Sequence, residues 1–294
     1  MKLTNKHDLH PILFTTLAHS DYDFKPKSRQ ISATTLLKPI KEIVLAQQNP
    51  DLLPTMDVTD FTAAKLGSSF HAVLEKVWTE EPHFVTTVIK DYFPEYADRE
   101  LLVNPTKKQI KKSDNPLVVY IEQRGFISIN GWDIFMKFDV VFDGQVQDAK
   151  TTSAWKYAKG DILDYQLQMG MGKIIHPKII KDIDHFKIHY IFKDWSAKYE
   201  NTPNYPSASA ISATYPHLPN QEVIDWIEDR LNLLEDTLYS GYDAQDIPCS
   251  DHDRWARQKK RLVRDGGGYE TVYTRCNDWC RVRDFCKQNL EEKS

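Results

Sequence analysis

Asp148 and Lys150 stand two residues apart in a stretch, Gln145 to Lys150, that reads as a β-strand, so both side chains leave the same face. A carboxylate there can hold a divalent cation. The neighbouring ammonium can orient a water at the metal and help remove its proton, while the cation stabilises charge building on a phosphate. The chemistry is phosphodiester hydrolysis. Alone, an Asp-x-Lys pair reads more readily as two solvated strand charges, and only its surroundings give it a catalytic meaning.

Three runs, Leu117 to Ile129, Trp132 to Phe142 and Gln145 to Lys150, are separated by Asn130-Gly131 and Asp143-Gly144, dipeptides favoured in two-residue hairpin turns. They predict a three-stranded meander. Two-residue turns put Asp139 directly opposite Asp148 and Glu122 directly opposite Asp139. Side chains paired in this way lie about 4.5–5.5 Å apart at Cβ, and like charges there are destabilising. A cation compensates them, and clustered oxygen ligands suit Mg²⁺ or Mn²⁺. Glu122 stands either behind the ligands or as a ligand for a second ion, and a β-bulge would turn it to the opposite face. His71 and Glu75, one helical turn apart, share a helix face. A neutral imidazole at His71 can add a nitrogen ligand, although a structural hydrogen bond is the more ordinary use of such a histidine, and Glu75 reads as a residue that orients its neighbours.

The elements that must position these groups follow from periodicity. Apolar residues at helical spacing predict helices over Ser32 to Gln48, Phe61 to Trp78, Tyr157 to Ile175 and Asn220 to Leu238. Asp57 and Thr59 are candidate N-caps of the second helix, and Gly67, Ser68 and Ser69 permit close packing near His71. His185 to Phe192 reads as a strand, and the first 30 residues as an arm or loosely packed strand. The order of elements indicates an α/β (α+β) fold. Three segments are expected: an N-terminal arm and helix over 1–56, a core over 57–246, and a basic four-cysteine module over 247–294.

Composition bounds the rest. The chain of 294 residues is 41% hydrophobic and 27% charged, which excludes an ordinary membrane protein, and no apolar stretch approaches the roughly 20 residues that span a bilayer. Met1 to His10 is too polar for a signal peptide, which points to the cytoplasm. A net charge of -4 gives no global attraction to a polyanion, so nucleic-acid binding would use local basic patches.

Taken together, these residues resemble the RecB-type exonuclease branch of the PD-(D/E)XK nuclease superfamily, which includes lambda-type exonucleases, CRISPR-adaptation nucleases and nuclease-like proteins of bacteriophages. That branch shows Gly-x-x-x-His-x-x-Leu-Glu on a helix, matched here from Gly67 through His71 to Leu74 and Glu75. An Asp ending one strand and Asp-x-Lys-Thr on the next follow, matched by Asp139 and by Asp148, Lys150 and Thr151. The resemblance covers roughly residues 67–170, with weaker similarity around Ser32 to Pro39 and Ile191 to Trp195. It implies a mixed central sheet flanked by helices, with His71, Asp139 and Asp148 as Mg²⁺ or Mn²⁺ ligands and Lys150 as the catalytic lysine. A following helix carries a substrate- or lysine-contacting Gln, within Gln-x-x-x-Tyr. Gln166 fits that place, although Gly170 stands where the Tyr would be, which keeps Gln168 open. The implied activity is that of a metal-dependent deoxyribonuclease. By analogy it would be an exonuclease in phage DNA recombination, repair or replication, working in the host cytoplasm with a single-strand annealing protein or helicase. The alternatives are a structure-specific endonuclease and a non-catalytic DNA-binding module.

All four cysteines, Cys249, Cys276, Cys280 and Cys286, fall in the last 46 residues. They form a complete ligand set for a [4Fe-4S] cluster or for tetrahedral Zn²⁺. Several relatives in the resembled branch staple the end of their nuclease fold with such a cluster, though their distant cysteine precedes the nuclease motifs and Cys249 follows them. The missing Cys-x₂-Cys pair favours iron-sulfur over zinc, with plain thiols as a third reading. Between Cys249 and Cys276, the run containing Arg254, Arg257, Lys259, Lys260, Arg261 and Arg264 has no acidic member and is expected to grip the DNA backbone. Trp255 would stack on a base or pack within the module. Lys107, Lys108, Lys111 and Lys112 read as a solvated surface.

Overall fold

The computed structural model describes residues 3–19, 26–181, 183–260 and 268–292. In chain order the elements are α1 (Pro11–Ala18), β1 (Gln30–Ser32), α2 (Ala33–Leu36), α3 (Ile40–Gln48), α4 (Thr62–Glu80), α5 (Pro82–Tyr92), β2 (Glu100–Val103) and α6 (Lys107–Lys112). Next come β3 (Pro116–Ile121), β4 (Arg124–Ile129), β5 (Trp132–Lys137), β6 (Val140–Phe142), β7 (Gln145–Thr152), α7 (Ala154–Ala158), α8 (Leu163–Ile175) and β8 (His185–Phe192). The chain finishes with β9 (Ala210–Pro216), α9 (Asn220–Tyr239), β10 (Ala256–Lys260), β11 (Tyr269–Tyr273) and α10 (Lys287–Glu291). The fold is mixed α/β, as expected.

Both two-residue turns form with left-handed backbone, φ being 49° and 76° at Asn130 and Gly131 and 49° and 87° at Asp143 and Gly144. They set Ile129 opposite Trp132 and Phe142 opposite Gln145, so the registers expected from the turns hold. The meander itself is corrected. Its first hairpin divides at Glu122, where φ is 54°, and near Asp139 on the returning strand. Beyond the break β4 and β5 join β1 in one sheet, whereas β3 and β6 belong to a six-stranded sheet ordered β2-β3-β6-β7-β8-β9. The pairing register survives the break, because the Glu122 amide still donates to the Asp139 carbonyl at 3.0 Å. Left-handed backbone at a non-glycine residue costs about 1–3 kcal/mol, and it falls here among the carboxylates.

The large sheet is covered unequally. On one face α8 and α9 bury Met169, Met171, Ile227 and Leu231 against Phe186, Ile188 and Tyr190, in a core that extends to α3 and to Val282 and Cys286. On the other face α4 and α5 pack over β2, β3 and β6, where Val85 and Ile89 meet Leu117, Val119 and Ile121. The outer faces of β8 and β9 beyond them carry half-buried or exposed residues at alternate positions.

Two predicted helices differ in detail. Ser32–Gln48 is two helices because Pro39 lacks an amide donor and bars helical geometry at the residue before it. Tyr157–Ile175 is interrupted at Gly160, whose φ is 71°. The N-terminal arm holds α1 and a bridge from Thr4 to Asp57, where the Asp57 carboxylate accepts from Thr4 Oγ1 and the Lys6 amide. Asp57 also caps the turn leading into α4, as expected.

Gly170 shows why the tyrosine of the resembled motif has no room. A Cβ there would lie 2.7 Å from Val223 Cγ2, a fully buried side chain of α9. Alanine would gain about 1 kcal/mol of helix propensity but meet an overpacking cost of about 1–3 kcal/mol. Gly170→Ala is therefore expected to lower stability by roughly 1 kcal/mol in urea denaturation, with Val223→Ala in the same chain removing the added penalty. A gain in stability would show that α9 can move aside.

Candidate metal centre

Three elements deliver ligand groups to one place. Gly67 lets α4 approach β7, since a Cβ there would stand only 3.3 Å from Thr151 Oγ1, and one turn later the same helix presents His71. His71 Nδ1 lies 3.3 Å from Asp139 Oδ2 and 4.0 Å from Glu122 Oε1. One ligand atom from each of these three residues lies within 4.8 Å of the others. Asp139 Oδ2 also accepts from the Ala149 amide at 2.9 Å, which ties it to β7 beside Asp148. Asp148 is buried, and its Oδ2 is 2.7 Å from Lys150 Nζ. Lys137, at the end of β5, pairs with the other Glu122 oxygen.

The charges are unbalanced. Burial first, and then the Asp148 carboxylate, hold Asp139 well above the usual carboxylate range, against weaker opposition from Lys150 and the Ala149 amide. Burial would lower Lys150, but Asp148 and Asp139 outweigh it and raise the ammonium above its ordinary value. Burial lowers His71, leaving the imidazole neutral and able to donate a lone pair.

A raised carboxylate favours the folded state while it is protonated. In metal-free protein its contribution is complete below the ordinary carboxylate range and is lost as pH rises through the higher folded value. Stability without metal is therefore expected to fall as pH climbs through that window. Asp139→Asn should flatten the fall and raise the melting temperature at pH 8. Equal slopes for both proteins would remove Asp139 as the source.

The four cysteines are unbridged and line one cavity, together with Lys41, Arg254 and Arg275. Burial, with neighbouring acids and thiols, pushes Cys249 up to about 12 and Cys280 up to about 11. Gln288 clamps the backbone of Cys249 through both amide atoms, at 2.9 and 3.1 Å.

No family model and no curated protein matches the chain. Among solved structures it is similar to the crystal structure of the protein SSO0001, with 13% identity, a TM-score of 0.50, and coverage of 95% of this chain and 96% of that one. The two share a fold over nearly their whole lengths. A candidate exonuclease from Eubacterium rectale aligns with 12% identity and a TM-score of 0.31 over 82% of this chain and 79% of its own.

Other expected site residues have partners of their own. The Gln166 amide donates to the Pro216 carbonyl at 3.1 Å, at the end of β9. Tyr165, one residue earlier on α8, is close enough to feel Lys150 and Asp148, and burial raises its hydroxyl to about 12. It carries no motif, and only its position beside Gln166 points to it. Glu75 is exposed.

Arg254 does not face solvent. Its guanidinium is buried, binds Glu292 and lies 3.2 Å from the centre of the Tyr273 ring, so a direct role in gripping DNA is corrected to a structural one. Its neighbours Arg257 and Lys259 are exposed on β10. The side chain of Lys260 and the whole of Arg261 and Arg264 lie outside the described residues. Trp255 packs under the Arg275 guanidinium, 4.8 Å from its ring centre, and Arg275 pairs with Glu42 at 3.3 Å. Lys107, Lys108, Lys111 and Lys112 are exposed on α6. Among the described residues, no helix is long and apolar enough to cross a membrane.

Proposed function

We propose that the protein is a metal-dependent DNA nuclease of the PD-(D/E)XK type, hydrolysing phosphodiester bonds at the junction of α4, β6 and β7. The observation that carries this reading is the convergence of His71, Glu122 and Asp139 beside the Asp148–Lys150 pair. A buried carboxylate pair held next to a neutral imidazole is costly unless a cation joins it. Bound Mg²⁺ or Mn²⁺ would supply Lewis-acid stabilisation of the phosphate charge and make an attacking water more acidic. Asp139, Asp148 and His71 would hold the ion, with Glu122 as a further oxygen donor steadied by Lys137.

Without metal, Asp148 and Asp139 raise Lys150 and keep its ammonium protonated, which suits orienting the attacking water and stabilising an anionic phosphate. Asp148 fixes its position. Tyr165 keeps its hydroxyl proton at neutral pH and can donate a hydrogen bond in the same pocket.

The four-cysteine cavity is proposed to hold a [4Fe-4S] cluster. The donor set is complete, and the Arg254, Arg275 and Lys41 cations offset the charge of four thiolates. Bound there, the cluster would tie the C-terminal segment to α3.

Among nucleases, an exonuclease is proposed. Linear DNA and covalently closed circular DNA, each incubated with protein and Mg²⁺, test both levels. Digestion of linear DNA alone is expected. Nicking of the closed circle would make the protein an endonuclease, and no cleavage of linear, nicked or flapped DNA would leave a binding module.

A further inference from the structure

On α3, where the neighbouring side chains Ile40, Val44 and Leu45 join the main core, Lys41 is only 2% exposed. Lysine is almost never found at such depth without a partner, because its ammonium gives up water and needs a compensating charge. An ammonium carries three donors, yet among the described residues Lys41 Nζ meets a single acceptor, Gln288 Oε1 at 3.4 Å, and no carboxylate within ion-pair distance. What it does face is the cavity lined by Cys249, Cys276, Cys280 and Cys286.

The other cations of that lining are matched. Arg254 binds Glu292, Arg275 pairs with Glu42 at 3.3 Å, and Arg283 pairs with Asp284 at 3.7 Å. Asp253, the remaining carboxylate, accepts instead from the Ser250 amide and hydroxyl, at 3.1 and 2.9 Å. The cavity is positive for a second reason. Pro39, Lys41 and Glu42 belong to the start of α3, and Pro39 at the cap position has no side chain that can accept from the first amides, so the positive end of the helix dipole meets the cysteines. Lys41 acts on one of them directly. Burial and then Asp253 push the Cys249 thiol up, and the Lys41 ammonium opposes them. Gln288 joins the two residues, because the oxygen that meets Lys41 also accepts from the Cys249 amide at 2.9 Å.

We infer that Lys41 is a positioning residue of the four-cysteine centre, its buried ammonium serving as the counter-charge of the metal-bound Cys249 thiolate. The inference rests on the reading of these cysteines as metal ligands, and it adds a charge requirement to that site. Four neutral thiols leave the ammonium uncompensated, so Lys41 destabilises the metal-free protein. Four thiolates around Zn²⁺ or around a [4Fe-4S] core carry net negative charge, so the same ammonium stabilises the loaded protein. Its contribution changes sign with metal. A lysine kept for the packing of its stem would contribute with one sign in both states.

The test compares the full protein with Lys41→Met, which keeps an unbranched apolar stem and removes the charge. Both are stripped of metal by a chelator under reducing conditions, unfolded in urea, and separately titrated with Zn²⁺ against a competing chelating dye. Metal-free Lys41→Met is expected to unfold at higher urea than wild type, yet to bind Zn²⁺ about 10–100-fold more weakly, the usual cost of losing a group that steadies a metal ligand. Lys38→Met, which removes an exposed lysine just before Pro39, is expected to match wild type in both measurements. In protein isolated with an iron-sulfur cluster, Lys41→Met should also make the cluster harder to reduce, raising the ratio of oxidised to reduced cluster at a fixed potential about tenfold. Equal Zn²⁺ affinity or an unchanged cluster potential would overturn the inference and leave the metal reading intact. A metal-free variant less stable than wild type would do the same, since it marks a lysine that serves packing. A wild-type protein that takes up no Zn²⁺ would instead end the metal reading, and this inference with it.

Discussion

Lys150→Ala is expected to lower Mg²⁺-dependent DNA cleavage by about 10²–10⁴-fold, the range for removing a positioned group that acts on the reacting water and on transition-state charge. Lys137, the other lysine paired with a carboxylate of the site, is engaged with Glu122. Loss of folding must be separated from loss of chemistry. Asp148 has a side chain only 4% exposed, and deleting its partner leaves it as an uncompensated buried charge. Breaking a buried pair costs about 3–5 kcal/mol, and the lower end applies because Lys150 is 27% exposed. That cost should appear in metal-free protein and shrink when Mg²⁺ occupies the centre. Removing a positive charge beside the site should also tighten Mg²⁺ binding. The signature is thus a fallen kcat, equal or stronger metal affinity and a melting temperature restored by Mg²⁺. Wild-type cleavage rates in the variant would take Lys150 out of the mechanism.

The parts of this site that were legible in the sequence are those set by local chemistry. Asn130-Gly131 and Asp143-Gly144 demand left-handed backbone, take it, and thereby set the pairing registers on both sides of Asp139. Gly67 to Glu75 reads as a helix with His71 on its inner face, and it is one. What stayed hidden depends on distant parts of the chain. Nothing near Glu122 signals that the first hairpin must serve two sheets, because the break answers to β1 on one side and β2 on the other. The partner of the Gln166 amide is likewise distant, a carbonyl on β9 that stands 50 residues away in sequence. Arg254 reads as one of a run of surface cations until Glu292 and Tyr273 close over it. Pro39, by contrast, carried a local signal that splits the helix around it, and apolar periodicity alone masked it.

The second large effect is expected at Cys286, the most buried of the four thiols and part of the main core with Ile40, Val44 and Leu45 of α3. Cys286→Ser preserves shape but replaces a soft thiolate ligand by a hydroxyl, so the proposed cluster is held by three sulfurs. Freshly purified wild-type protein should be brown with absorbance near 400 nm, and the variant should lose most of that absorbance and its iron. A cluster bridging Cys249 and Cys276 closes a loop of 27 residues. Such a closure is worth about 3–4 kcal/mol in chain entropy, equivalent to a fall of roughly 6 °C in melting temperature for a chain of this size. Without metal the raised Cys249 and Cys280 stay protonated, and Arg254 and Arg275 keep only Glu292 and Glu42 as counter-charges. The variant should therefore gain protease sensitivity first between Cys249 and Cys286, while the sheet that carries Asp148 persists longer. A colourless wild-type protein that releases one zinc would replace iron by zinc at the same four ligands. A wild-type protein with neither metal, melting together with Cys286→Ser, would reduce the cavity to a packing feature.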